Sequence, residues 1–231
     1  MKYSPLILAL CLTLGSFPVG AGVKTPFNGK NLDGWKAKGP PEKSKWTVGH
    51  PVMNKANPKT LVLAEAGQGL ALVNLATKHG DSLDFYSEAT FGDCTIELDL
   101  MVPKNANSGI YVMGEYEVQV LDSFGKTKMT MGDMGAIYSA APPKLNACKA
   151  PGEWQHFVIE FVAPTFDAAG KKTANATFTK VTLNGQVIQE NAVMPKPTPG
   201  GVSGREAARG PIMFQGNHGP VAYRNIRITE K

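Results

Sequence analysis

The stretch Asn107-Ser-Gly-Ile-Tyr-Val-Met-Gly-Glu-Tyr-Glu-Val-Gln-Val-Leu-Asp122 alternates like a β-strand but carries acidic and amide side chains where a plain sheet has filler. From Tyr116 onward Tyr116, Val118 and Val120 share one apolar face, so Glu115, Glu117 and Gln119 point together to the other. A sheet presents a polar site in this way. The spacing predicts one strand over 109–121. Asp122 follows Gln119 by an odd step, so only a β-bulge or the strand end brings it round to Glu117. The bland reading of the same pattern is a solvated outer face of an antiparallel sheet.

Further strand signals recur outward from this segment, at 60–64, 69–75, 94–102, 135–138, 154–162, 176–183, 186–188, 212–215 and 222–228. Alternation is clearest in Thr95-Ile-Glu-Leu-Asp-Leu100 and Gln155-His-Phe-Val-Ile-Glu-Phe-Val162. Asn184-Gly185 between two such runs is a hairpin signal, because a type I′ turn needs positive φ at both central residues. Helical periodicity is nearly absent. The chain is therefore predicted to be all-β, an antiparallel β-sandwich with a polar-lined outer face open to ligand.

The amino-terminal segment has a different character. An uncharged run from Leu6 to Leu14 closes on Val19-Gly20-Ala21, the pattern of a cleavable secretory signal and too short to span a bilayer as a helix. Cys11 lies inside the apolar run after Leu10, a poor fit to a lipidation site. Residues 1–21 are thus expected to be removed, leaving a single domain over 22–231 in a periplasmic or secreted protein with no integral membrane span. Cleavage removes Lys2 and no acidic residue, leaving 23 basic residues against 19 acidic ones. The excess is mild and scattered, without an arginine-rich helix or an RNA-binding aromatic signature, so nucleic acid is not an expected partner. Cys94 and Cys148 are free to pair in an oxidising compartment, but Cys94 shares an apolar face with Ile96, Leu98 and Leu100, and a buried thiol is the simpler reading. The tract Pro195 to Gly204 reads as a long surface loop, since the segment after it is too short to make a core of its own.

An ordered set of motifs carries a resemblance. Phe27-Asn-Gly-Lys-Asn-Leu-Asp-Gly-Trp35, Asn107-Ser-Gly-Ile-Tyr111, Tyr116-Glu-Val-Gln-Val-Leu-Asp122, Gly135-Ala-Ile-Tyr138, Gly152-Glu-Trp-Gln155, Asn184-Gly185, His218-Gly219 and Tyr223-Arg-Asn-Ile226 occur in that order. Together they resemble the bacterial 3-keto-disaccharide hydrolase domain family over essentially the whole mature chain. Met113 and Glu115 depart from the more polar or basic residues of many relatives. The resemblance implies a concanavalin A-like jelly-roll and action on 3-keto-glycosides, carbohydrates whose glucose C3 is oxidised to a ketone. It also implies a functional partner, an upstream glycoside 3-oxidoreductase that makes this substrate.

A ketone at C3 acidifies the C2 proton, so cleavage by elimination needs a base near C2, donors or a cation at the C3 oxygen, and an acid near the glycosidic oxygen. Glu117 is the expected base, held and tuned by Gln119 and Glu115. Asp122 is expected either to bind sugar hydroxyls or a cation, or to serve as a turn residue. His218, in the glycine-flanked turn Gln215-Gly-Asn-His-Gly-Pro220, is a candidate acid or metal ligand, and equally a loop cap. Asn107, Tyr111, Gln119 and Tyr138 are the expected sugar-binding residues. Arg224, placed by alternation on the face of Ile226 and Ile228, needs either a carboxylate partner or a place in the cleft. Trp35 and Trp154 read as core anchors, and His156 as structural. These residues identify no cofactor with certainty. A divalent cation, if bound, would be held by oxygens and His218, because no paired metal-ligand motif is present.

Two other functions compete: a conventional retaining glucanase built on Glu117 and Asp122, and a non-catalytic carbohydrate-binding module. Gln119 weighs against the first, since an acidic residue normally occupies that central position. The signal pattern carries its own expectation: mass spectrometry of the exported protein should find the amino terminus near Gly22, and a soluble exported form retaining Met1 would refute it.

Overall fold

The structure, a computed structural model, describes residues 22–67 and 70–231. The expected signal segment and Cys11 lie outside the described residues. Sixteen strands form among the described residues: β1 (Val23–Lys24), β2 (Trp35–Ala37), β3 (Trp46–Met53), β4 (Leu61–Ala64), β5 (Ala71–Asn74), β6 (Phe85–Phe91), β7 (Cys94–Met101) and β8 (Asn107–Val112), then β9 (Tyr116–Leu121), β10 (Trp154–Val162), β11 (Thr165–Phe166), β12 (Lys172–Ala174), β13 (Ala176–Leu183), β14 (Gln186–Met194), β15 (Gly210–Phe214) and β16 (Val221–Glu230). One 3-10 turn, Pro41–Lys43, is the only helical element among them. No helix there is long and apolar enough to cross a membrane.

Two antiparallel sheets make the expected jelly-roll sandwich. The larger has the order β14-β13-β10-β7-β16-β5-β3-β4, with β1 added to β16, and the smaller has the order β2-β6-β15-β8-β9. Between them lies an aromatic layer. Phe214 stacks on Tyr223 across the sheets at 3.8 Å and on Trp35 at 5.3 Å, while Trp46 stacks on Phe85 at 5.4 Å. Phe157, Phe161 and Phe178 continue the core toward β10 and β13. Large aromatics fill a sandwich interior efficiently because each buries roughly 150–250 Å².

The segment 109–121 is not one strand. Met113 and Gly114, with φ of 54° and 71°, turn the chain so that β8 and β9 form a hairpin, Val112 pairing with Tyr116 and Tyr111 with Glu117. Asn184-Gly185 makes the expected turn between β13 and β14, with φ of 51° and 80°. Met113 gave no such signal, because methionine rarely adopts positive φ and is held there by its surroundings. Strands β3 and β6 were not anticipated either. Gly49 and Pro51 break the sequence pattern of β3, which runs unbroken from Trp46 to Met53, and in β6 the inward position after Phe85 is Ser87, whose hydroxyl is spent on the Ala89 carbonyl and the Ile212 amide. The region 135–138 is less regular than predicted, Ile137 making isolated bridges to Val118 and Ala141. Cys94 and Cys148 are both free, and burial pushes each thiol up to about 12.

Phe214, at the centre of the aromatic layer, belongs to β15 of the smaller sheet and touches both layers. Phe214→Ala should lower the unfolding free energy by about 3–5 kcal/mol in urea titrations, the usual cost of deleting a buried ring. A loss under about 1 kcal/mol would show that the sheets do not pack through this residue.

Candidate active site

The β8–β9 hairpin sorts its side chains by register. Ser108, Ile110 and Val112 oppose Val120, Val118 and Tyr116 on the inner face, whereas Asn107, Gly109 and Tyr111 oppose Leu121, Gln119 and Glu117 on the outer one. Gln215, whose amide donates to the Gly109 carbonyl, extends that outer face from the end of β15. A cleft of about 310 Å³ opens there, lined by Lys38, Asp84, Asn107, Tyr111, Glu117, Gln119, Tyr138, Pro199, Gly200, Gln215, Asn217 and His218. A larger cavity of about 710 Å³ lies elsewhere, on Glu97, Asp99 and His156 of the other sheet. We place the site in the smaller cleft because it gathers buried, mutually bonded groups.

Glu117 sits at its base with only 3% of its surface exposed. The Tyr111 hydroxyl lies 2.9 Å from Glu117 Oε2 and 3.0 Å from the Pro199 carbonyl oxygen, two acceptors for one proton. Burial is the main reason that the Glu117 carboxyl is pushed up to about 7; Asp84 adds to the rise and the Tyr111 hydrogen bond opposes it. The carboxylate has room only because residue 109 is glycine: a Cβ there would lie 2.3 Å from Glu117 Oε1. Burial likewise holds the Tyr111 phenol above its ordinary range, with the Glu117 charge adding to the effect.

The walls come from loops that clamp onto this sheet. Thr198 accepts the Glu117 amide on its hydroxyl and donates its own amide to the Glu115 carbonyl, so the 195–204 loop lies along the edge of β9. Lys38 ties the same loop down, its Nζ donating to the carbonyls of Gly200 at 2.7 Å and Gly201 at 2.6 Å. Opposite, the buried Asn74 amide clamps the 216–219 turn by donating to the Gly216 and Gly219 carbonyls. Asp84 accepts the Gly216 and Asn217 amides on Oδ1. His218 contacts Asn217 through Nδ1 and meets His79 edge to face at 4.5 Å. Burial first, and then His79, lowers the His218 pKa below the ordinary imidazole value, so the ring is neutral at pH 7.

The structure thus brings Glu117, His218, Asn107, Tyr111, Gln119 and Tyr138 into one cleft. Gln119 Nε2 donates to Asn107 Oδ1 at 3.0 Å, which leaves the Asn107 amide hydrogens for ligand. Asp122 is a correction. Its two carboxylate oxygens accept the amides of Asn105 and Phe124, so it caps a turn outside the cleft, as its position at a strand end allows. Arg224 is another. A bulge at Asn225, with φ of 54°, shifts the alternation so that Tyr223 shares the inner face with Ile226 and Ile228. Arg224 is thrown outward, where it pairs with Asp99 at 3.4 Å and lies 3.9 Å over the Trp154 ring. Trp154 is partly buried and packs against a small apolar cluster that includes Met101 and Ala222, whereas Trp35 is in the main core. His156 is structural, 2.8 Å from Asp99.

Glu115 does not tune Glu117. Its carboxylate accepts the Ser203 amide and hydroxyl and the Gly204 amide, anchoring the far end of the 195–204 loop, and the like charge acting on Glu117 is Asp84. The glycines beside His218 serve the protein itself: a Cβ at Gly216 would lie 2.1 Å from the Leu83 carbonyl oxygen. Lys38 and Asp84, which line the cleft, and Asn74 and His79, which back its 216–219 turn, carry no local motif, and only the fold brings residue 38 and the 74–84 stretch to this place. Among the described residues no group of three His, Cys, Asp or Glu side chains is disposed to hold a metal ion.

Residues 22–229 match the family model of the 3-keto-alpha-glucoside-1,2-lyase-like domain. The chain belongs to that family. It is thereby grouped with carbohydrate-active proteins. Among solved structures, a Parabacteroides distasonis ATCC 8503 protein provisionally assigned as a glycosyl hydrolase is 28% identical, with 90% of this chain and 84% of that one covered at a TM-score of 0.67. A second protein of the same provisional assignment and organism, 21% identical, covers 91% of this chain and 100% of its own at a TM-score of 0.57, a likeness of fold. No curated protein matches the chain.

The displaced Glu117 ionisation has a stability consequence. A carboxyl raised from an unfolded value of about 4.3 toward 7 favours the folded state when protonated. Its contribution is fully present below about pH 4 and is lost as pH rises through about 7. Glu117→Gln, neutral throughout, should therefore be more stable than the wild type by on the order of 3 kcal/mol at pH 8 and nearly equal to it at pH 4. Urea unfolding at the two values checks this, and a difference that does not grow with pH would show the carboxylate is not destabilising.

Proposed function

We propose that the protein is an exported enzyme cleaving 3-keto-glycosides by elimination across C1–C2 followed by hydration. The observation that carries this reading is the pairing, in one cleft, of a buried carboxyl pushed up to about 7 with an imidazole held neutral. Environments that move two titratable groups toward and past one another supply an acid and a base at the same pH. Family membership supports the substrate class.

The base takes the C2 proton, and the C–H pair becomes a C2=C3 double bond while the carbonyl pair moves onto the C3 oxygen. Collapse of this enolate restores the ketone, forms C1=C2 and expels the aglycone oxygen from C1, which takes a proton from the acid. Water added across C1=C2 completes net hydrolysis, with no other co-reactant. At pH 7 His218 is neutral and Glu117 is about half protonated, so a well-populated state offers His218 as base and Glu117 as acid. These roles reverse those that the strand pattern assigns. Asn107, Gln215 and Tyr138 supply donors to sugar hydroxyls around them.

A conventional glycosidase remains the second reading, and one observation favours it: Asp84, not Asp122, lines the cleft with Glu117 as a second carboxylate. Cleavage of a 3-keto-glucoside but not of its unoxidised parent selects elimination. Cleavage of the parent selects the glycosidase, and turnover of neither leaves a binding module.

The roles separate by isotope exchange. In heavy water His218→Gln should lose enzyme-dependent deuterium incorporation at C2 of a 3-keto-glucoside, measured against an enzyme-free control. Glu117→Gln should keep that exchange while alkyl 3-keto-glucoside cleavage falls at least about a hundredfold, and a nitrophenolate leaving group should restore much of the rate. Loss of exchange in Glu117→Gln instead would return the base to Glu117.

A further inference from the structure

The cleft contains a fixed cation that the sequence pattern does not single out. Lys38 follows β2, and its ammonium group carries three N–H donors. Two are spent on the carbonyls of Gly200 and Gly201, at 2.7 and 2.6 Å. Asp84 Oδ2 forms an ion pair with it at 3.9 Å, too long for a hydrogen bond, and Asp84 Oδ1 is already taken by two backbone amides. One N–H of Lys38 is therefore left over in the wall of the cleft.

Of the residues lining the cleft, only Lys38 and His218 can carry positive charge, and His218 is held neutral by burial and His79. Elimination, on which this inference rests, places a full negative charge on the C3 oxygen of the enolate. A preorganised donor at that oxygen contributes most of what such a site can supply, since the charge develops only in the reaction.

We propose that Lys38 is a catalytic residue, its free N–H meeting the C3 oxygen of the bound 3-keto sugar and stabilising the enolate as the C2 proton leaves. No proton passes from Lys38. The electron pair of the C2–H bond forms C2=C3, the carbonyl π pair moves onto the C3 oxygen, and the ammonium balances that charge until the enolate collapses. The same contact gives specificity for the ketone: at an unoxidised C3 hydroxyl no charge develops, and Lys38 then contributes binding without acceleration. The two backbone carbonyls that hold the ammonium make it an immobile charge rather than a tether alone.

The test compares wild type, Lys38→Met and Lys38→Arg on a 3-keto-glucoside at saturation, reading cleavage and C2 deuterium exchange, with amide hydrogen exchange over 198–204 to follow the loop. Lys38→Met should lose at least about a hundredfold in both exchange and kcat, the scale of one oxyanion donor, with KM changed only a few-fold. Lys38→Arg should regain at least about tenfold of that loss by keeping the charge. If Lys38 only ties down the loop, Lys38→Met will raise KM and speed amide exchange over 198–204 while C2 exchange at saturation stays at the wild-type rate, and the proposal falls. A wild type that neither cleaves nor exchanges a 3-keto-glucoside overturns the elimination reading itself and Lys38's role with it.

Discussion

The register of the β8–β9 hairpin is the constraint on which the site depends. Side chains alternate with a period of two, so a slip of one residue would carry Val118 and Val120 outward and Glu117 and Gln119 into the core. The apolar packing of Ile110, Tyr116, Val118 and Val120 against the aromatic layer forbids that slip. Tyr111 is thereby set opposite Glu117, and Gly109 opposite Gln119, and the absence of a side chain at 109 leaves the space that the Glu117 carboxylate fills. The hydrophobic interior thus positions a group that never enters it.

A second consequence is electrostatic. Glu115 and Glu117 are neighbours in sequence and both buried, but they differ in what surrounds the charge. Glu115 receives three hydrogen bonds from Ser203 and Gly204, which make it an anchor for the loop. Glu117 receives one, from Tyr111, and faces Asp84 across the cleft. Desolvation without matching donors moves a carboxyl toward neutrality of charge at pH 7, the condition for moving a proton rather than binding a partner. The loops complete the contrast: 195–204 and 216–219 are fastened by Thr198, Lys38, Asn74 and Asp84, so the walls are as fixed as the sheet beneath them.

How much of this was legible before folding can be judged from particular residues. The outward set of Glu117, Gln119, Asn107 and Tyr111 follows from alternation, and the all-β class from the recurrence of alternating runs between turn residues. Where alternation is broken by a bulge or a turn that has no typical residue, the pattern misleads. Asn225 inverts the placement of Arg224, Met113 makes a turn inside an apparent strand, and Asp122 spends its oxygens on the amides of Phe124 in its own turn and of Asn105 in the connection before β8. Ser87 hides β6 because a polar side chain faces inward with its own partners.

The sequence by itself determined the strand-rich class, the hairpin at Asn184-Gly185 and the polar face of β9, because these rest on local periodicity and the φ demands of single turns. Only the tertiary structure decided which charges meet. Lys38, Asp84 and His218 come from three connections far apart in the chain, with His79 of the Asp84 connection backing His218, and their convergence around Glu117 depends on how two sheets stack and where the loops between strands return. No local spacing encodes that convergence, since it is set by the packing of an aromatic core to which none of these residues belongs.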